Sequence, residues 1–190
     1  EIEKKLIDEM PTNKTSNVLF KNNGNLEFES FTTRAGLKPT FSNGAIYCDL
    51  DNDGDLDIIT NNINEKATLL ENKSAALEGN NFVSISLKGN KKFKNATGSK
   101  VYLYSNGKKY FKELTTTRGF QSSSSRKIHF GLGKNNKIDS LQIVWLDGTI
   151  QIEKDLLINQ HQTITKKNTK DYKLYDTTNN SQPFQTFDFI

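Results

Sequence analysis

Cysteine occurs once in this chain, at Cys48, so no disulfide can form within it and the fold must rest on packing or on bound metal. Histidine occurs twice, at His129 and His161, and neither sits in an H-E-x-x-H pattern or beside a nucleophile elbow. No apolar run approaches the length needed to span a bilayer as a helix. The first residue, Glu1, is not an initiator Met, and no charged segment followed by an apolar signal core opens the chain. It therefore reads as a mature or excised portion of something longer.

The 190 residues suffice for one or two domains with a buried core. Hydrophobic residues make up 34% and aromatics 10%, with twelve Phe and six Tyr, which suits a β-rich globular protein. The net charge of +4, with an isoelectric point near 9.0, is modest for this length but unevenly distributed. Base is scattered through Lys88, Lys91, Lys92, Lys94, Lys100, Lys108 and Lys109, whereas acid concentrates between Asp49 and Asp57.

That acidic stretch, Asp49-Leu50-Asp51-Asn52-Asp53-Gly54-Asp55-Leu56-Asp57, organises the chain. Five carboxylates this close repel one another unless a cation lies among them. Asp49, Asp51 and Asp53 alternate, so they converge when the backbone curls, and Gly54 permits the torsion such a curl needs. Asp57 closes the turn, while Asp55 is expected to donate its main-chain carbonyl with its side chain in water. Oxygen ligands without neighbouring Cys or His favour Ca²⁺ over zinc or copper, with Mg²⁺ a poorer fit. The alternative is an acidic turn that binds nothing.

An EF-hand loop would need a bidentate carboxylate at its twelfth position, which here is Thr60. The flanks, Gly44-Ala45-Ile46-Tyr47-Cys48 and Ile58-Ile59-Thr60, are strand-like, so the loop joins strands. The pattern D-x-D-x-D-G-x-x-D between strands, preceded by N-V-L-F-K-N-N-G-N-L-E-F-E-S-F and A-G-L and followed by N-N-I-N-E and L-L-E-N, resembles the FG-GAP or VCBS repeat of integrin-type β-propellers. The resemblance matches Asp49, Asp51, Asp53, Asp55 and Asp57 to the repeat's metal positions. It covers about one blade and part of the next, so the chain alone cannot close a propeller of about four to eight blades. The strands Val18 to Glu71 should then be covered by other parts of a larger protein or by a partner chain.

Earlier, Ile2 to Met10 reads as a short helix ended by Pro11, and Val18-Leu19-Phe20 with Leu26, Phe28 and Phe31 forms a hairpin around the turn Asn22-Asn23-Gly24. Lys73 to Asn81 is small and polar and suits a linker. A second unit follows, with alternation over Phe82 to Leu87 and strands at Val101 to Tyr104, Tyr110-Phe111, Ile128 to Phe130, Leu141 to Trp145 and Ile150 to Ile152. Short strands at this spacing predict a Greek-key sandwich or barrel.

Gly98-Ser99-Lys100-Val101, Arg118-Gly119-Phe120-Gln121-Ser122, His129-Phe130-Gly131-Leu132-Gly133 and Val144-Trp145-Leu146-Asp147-Gly148 resemble, in order, the landmarks of the ASPIC/UnbV domain. That domain commonly follows VCBS repeats in proteins similar to cartilage acidic protein and in exported proteins of Bacteroidota-like bacteria. Leu146 departs from the family, which usually carries Pro there, and should loosen the turn without changing the fold. No activity comes with the resemblance.

The chain is thus expected to be all-β, with partial β-propeller blades bearing a calcium loop followed by a β-sandwich-like domain. Its segments are a helical connector (1–16), a blade (17–73), an ASPIC/UnbV-like domain (81–165) and a polar tail or the start of another repeat (166–190). Both histidines read as strand or surface residues, Ser122 to Ser125 as a loop, and Gly131-Leu132-Gly133 lacks the third glycine and helix that cradle a phosphate. Bound Ca²⁺ would oppose acid catalysis by the loop carboxylates.

The expectation is a non-catalytic calcium-binding module of an exported surface protein, used for adhesion or for protein or glycan binding. It would act outside the cell, at the cell surface in association with the outer membrane, or in the periplasm. Its partners would be other parts of the same protein or a surface complex, with Arg118, Gln121 and Ser122 as candidate contacts. The alternative, nucleic-acid binding through Lys interleaved with Tyr and Phe over Lys100 to Lys112, is disfavoured because any exposed strand with one apolar face shows such interleaving.

Overall fold

A computed structural model describes residues 13–77 and 79–167 together with Lys5 and Glu9. The helix expected over Ile2–Met10 and nearly all of the tail 166–190 lie outside the described residues. The fold is all-β and divides into two compact units, Glu1–Asn80 with Thr116–Ser125, and Asn81–Thr115 with Arg126–Ile190.

Among the described residues the first unit holds seven strands. β1 (Thr15–Ser16) pairs antiparallel with β4 (Pro39–Thr40), and β2 (Phe20–Gly24) forms a hairpin with β3 (Glu27–Ser30). β5 (Ser42–Cys48), β6 (Asp57–Asn62) and β7 (Thr68–Leu70) form an antiparallel sheet in that order. The hairpin turn falls at Asn25-Leu26, not at the expected Asn22-Asn23-Gly24. A bulge between Asn22 and Gly24 carries the strand onward, Gly24 N–H donates to Asn22 Oδ1 at 2.8 Å, and both turn residues have positive φ, 51° and 64°. That is the torsion pattern of a tight two-residue hairpin turn.

Among the described residues this unit buries no hydrophobic side chain. Its buried side chains are polar: Asp55, Asp57, Thr60 and Asn62. Asn62 is a hub, donating to Lys66 O at 2.7 Å and Thr68 Oγ1 at 2.9 Å while accepting from Ser42 Oγ at 2.9 Å. Meanwhile Val18, Phe20, Leu26, Phe28, Ile63 and Leu69 are exposed. A sheet that leaves its apolar side chains in water gains little of the burial that ordinarily stabilises a domain.

The second unit is a sandwich with a continuous apolar core. β8 (Asn81–Lys88) lies between β11 (Lys127–Gly133), antiparallel, and β14 (His161–Thr165), parallel. The other sheet runs β10-β9-β12-β13, from β9 (Lys100–Ser105), β10 (Lys108–Glu113), β12 (Ser140–Val144) and β13 (Ile150–Glu153), all antiparallel. Burial alternates along β9, β11 and β12 as the pleat requires. Inward residues of both sheets, including Val83, Ile85, Leu103, Phe130, Leu141 and Ile143, meet in one cluster. Trp145 is buried there with its indole Nε1 donating to Gln151 Oε1 at 3.2 Å, as a buried indole requires. The turn after it, where Leu146 replaces proline, is closed at both ends: Gly148 N–H donates to Trp145 O at 2.8 Å and Trp145 N–H to Thr149 O at 2.9 Å.

Candidate metal centre

The acidic loop connects β5 to β6, whose register brings Cys48 opposite Asp57 and so sets the two ends of the loop side by side. Between them the backbone curls through positive φ at Asn52 (63°) and Gly54 (96°). The curl is stitched by side chains: Asp53 N–H donates to Asp51 Oδ1 at 3.2 Å and Asp55 N–H to Asp53 Oδ1 at 3.0 Å. Asp49, Asp51 and Asp53 each bring one oxygen within 4.8 Å of the others. Ligands bound to Ca²⁺ at ~2.3–2.6 Å can be no more than ~5 Å apart, so the three oxygens can share one ion.

The donor set also fits a cation chemically. Asp49 Oδ1 is closed off from solvent and has no hydrogen-bond partner. A carboxylate oxygen in that position is costly unless a donor or a cation meets it. Asp51 and Asp53 remain exposed, leaving the mouth of the loop open to solvent.

Asp55 and Asp57 are used differently. Asp57 is buried and its two oxygens accept from Leu50 N–H at 3.0 Å and Asn72 N–H at 2.9 Å. Asp55 does not turn its side chain to water as expected. It is buried, and its Oδ2 accepts from Ala75 N–H at 2.7 Å and Ser74 Oγ at 3.2 Å. The reason is the chain beyond β7, which folds back over the loop and offers donors at the distance of Asp55's side chain. Asn72 completes that return, its Nδ2 donating to Leu56 O at 3.3 Å and its Oδ1 accepting from Ser74 N–H at 3.1 Å. Asn72, Ser74 and Ala75 are the residues that sequence reasoning missed. Their small, polar composition reads as a linker, and only the asparagine of L-L-E-N carries a signal.

Residues 89–171 match the ASPIC and UnbV family. The ASPIC/UnbV match begins just after β8 and takes in every later strand of the sandwich. β8 is central to its sheet, so the folded unit extends upstream of the matched segment. No curated protein matches the chain.

Within the ASPIC/UnbV match, Arg118, Gln121 and Ser122 lie on a small hairpin, tied by Arg118 N–H to Ser122 O at 3.0 Å and Ser124 N–H to Thr116 O at 2.9 Å. It belongs to the first unit and packs on β5. Arg118's guanidinium carbon is 5.4 Å from the Tyr47 ring centroid, and Ser122 and the Phe120 carbonyl lie over Gly44 so closely that a Cβ there would come within 2.5 Å and 2.8 Å of them. Gln121, with φ of 49°, and Phe120 are exposed at the tip.

The two histidines, distant in sequence, flank one serine. Register sets His129 and His161 on either side of Ser84, with His161 Nδ1 3.1 Å from Ser84 Oγ and His129 stacked on Phe82 at 5.5 Å. Partial burial, and then the charge of Lys127, lower the pKa of His161.

Proposed function

We propose that this chain is a non-catalytic, calcium-binding module of an exported protein, working in adhesion or in protein or glycan binding within a larger assembly. The reading is carried by the convergence of one oxygen each from Asp49, Asp51 and Asp53 to within 4.8 Å of one another, beside which Asp49 keeps its Oδ1 buried and unpartnered. Asp57 braces the loop through its backbone hydrogen bonds, and the main-chain carbonyl of Asp55 is a further candidate ligand.

The ASPIC/UnbV domain is typical of exported proteins, and no helix among the described residues is long and apolar enough to cross a membrane. A loop of this kind, with affinity on the order of 10⁻⁴–10⁻³ M, fills only where free Ca²⁺ is millimolar, which favours the cell exterior or the periplasm. The exposed apolar side chains of the first unit supply the reason for an assembly, since neighbouring protein would cover them.

Thermal unfolding tests the calcium reading. Millimolar CaCl₂ should raise the Tm of the first unit's transition relative to EDTA, and equimolar MgCl₂ should raise it less. A Tm indifferent to Ca²⁺, or raised equally in an Asp51→Asn/Asp53→Asn variant, would refute it.

A further inference from the structure

The outer face of the β10-β9-β12-β13 sheet carries a row of large side chains in cross-strand register. Phe111 stands opposite Tyr102, Tyr102 opposite Gln142, and Gln142 opposite Ile152, so one row crosses all four strands. Phe111 is 53% exposed and Ile152 61% exposed. In a sandwich whose inward residues are otherwise well buried, exposing this row costs burial that polar residues would not forgo.

The row is a platform with polar and charged edges. The rings of Tyr102 and Phe111 lie 5.0 Å apart at 34°. In the adjoining row Tyr104 donates from its hydroxyl to Gln142 Oε1 at 3.4 Å, and Lys109 reaches back so that its ammonium lies 4.6 Å from the Tyr102 centroid and 5.8 Å from that of Tyr104. A cation is thereby held over the aromatic surface.

We propose that this face binds an acidic polysaccharide, with Tyr102 and Phe111 stacking against the apolar faces of sugar rings, Gln142 and the Tyr104 hydroxyl bonding to sugar hydroxyls, and Lys109 pairing with a uronate or sulfate group. This deepens the reading of the chain as a binding module and rests on it. Charge decides between a glycan and a nucleic acid. A single strand presents a phosphate at every nucleotide and needs a groove of cations along it. The charged residues at outward strand positions here are Lys100, Lys109 and Glu113, one of them acidic. That suits a ligand whose charges are sparser than its rings.

The test is affinity electrophoresis of the full chain in EDTA, through gels containing polygalacturonate, dextran sulfate or neutral dextran, with oligodeoxythymidylate binding measured in parallel. Retardation is expected by one or both acidic polymers and not by neutral dextran, and the two acidic gels separate uronate from sulfate recognition. Phe111→Ala should weaken retardation about tenfold. Lys109→Gln should also weaken it, while Leu157→Ser, an exposed change off this face, should not. Phe111 is exposed enough that its variant should melt as the parent does, which keeps a loss of binding interpretable. Retardation by neither acidic polymer, retention of full binding in Phe111→Ala, or preferential binding of the oligonucleotide would overturn the proposal. Because EDTA removes any dependence on Ca²⁺, failure here leaves a positive calcium titration standing, and the converse also holds.

Discussion

The main-chain N–H of Asn72 donates to Asp57 Oδ1 at 2.9 Å, joining the end of the acidic loop to the chain fifteen residues further on. With Leu50 N–H on the other oxygen at 3.0 Å, Asp57 ties the start of the loop and the returning chain to one carboxylate.

Asp57→Ala should therefore destabilise the first unit by about 1–3 kcal/mol even in EDTA, because it removes the acceptor of two part-buried N–H groups and leaves a void where a buried carboxylate stood. Asp51→Asn and Asp53→Asn, at exposed positions, should barely alter stability in EDTA. Chemical unfolding of the three variants without metal separates bracing from ligation. Equal stability of all three would contradict the division.

Gly44→Ala should push the 116–125 hairpin off β5, since the added carbon meets the Phe120 carbonyl and the Ser122 side chain. Overpacking of this kind costs about 1–3 kcal/mol. Hydrogen exchange should show faster exchange at Arg118 and Ser124, whose N–H groups close the hairpin, with the sandwich unaffected.

Gln151 is 2% exposed and satisfied at both ends: its Oε1 accepts from Trp145 Nε1 and from Lys167 N–H at 2.9 Å, and its Nε2 donates to Glu153 Oε1 at 2.6 Å and Thr165 O at 3.1 Å. Gln151→Ala strands the buried indole N–H and opens a void, so a loss of about 2–4 kcal/mol is expected in urea unfolding of the sandwich. Trp145 fluorescence reports the same transition.

His161, whose pKa is held below 6.5 by burial and by Lys127, binds its proton more readily unfolded than folded. Its contribution to stability is complete above its unfolded pKa and declines as pH falls from about 6.5 through the lower folded value. His161→Asn should flatten that part of the stability profile. The more acidic limb belongs to Asp147 and Glu153. Burial raises their pKa values, but hydrogen bonds and attraction from Lys166 and Lys167, with Thr149 and Gln151, leave both lowered.

The all-β class was legible because the period-2 patterns of β8, β9, β11 and β12 write their inward faces directly, and Asn106-Gly107 and Asp147-Gly148 punctuate them. The acidic alternation likewise marked the loop, because Asp49, Asp51 and Asp53 carry both ligand chemistry and register in a single stretch. What could not be read is non-local. Asp55's partners lie nineteen and twenty residues away, the hairpin at Arg118 belongs to a unit from which more than thirty residues separate it, and the row from Phe111 to Ile152 exists only once four strands are aligned. The turn at Asn25-Leu26 was missed for a local reason, a one-residue bulge at Asn22 that no alternation pattern encodes.

The central claim is a calcium ion held by Asp49, Asp51 and Asp53, and calorimetric titration of CaCl₂ into the full chain tests it most directly. One site per chain is predicted, with Kd on the order of 10⁻⁴–10⁻³ M and the binding heat lost in Asp51→Asn/Asp53→Asn. No heat of binding at millimolar Ca²⁺, or the same heat in the double variant, would contradict it.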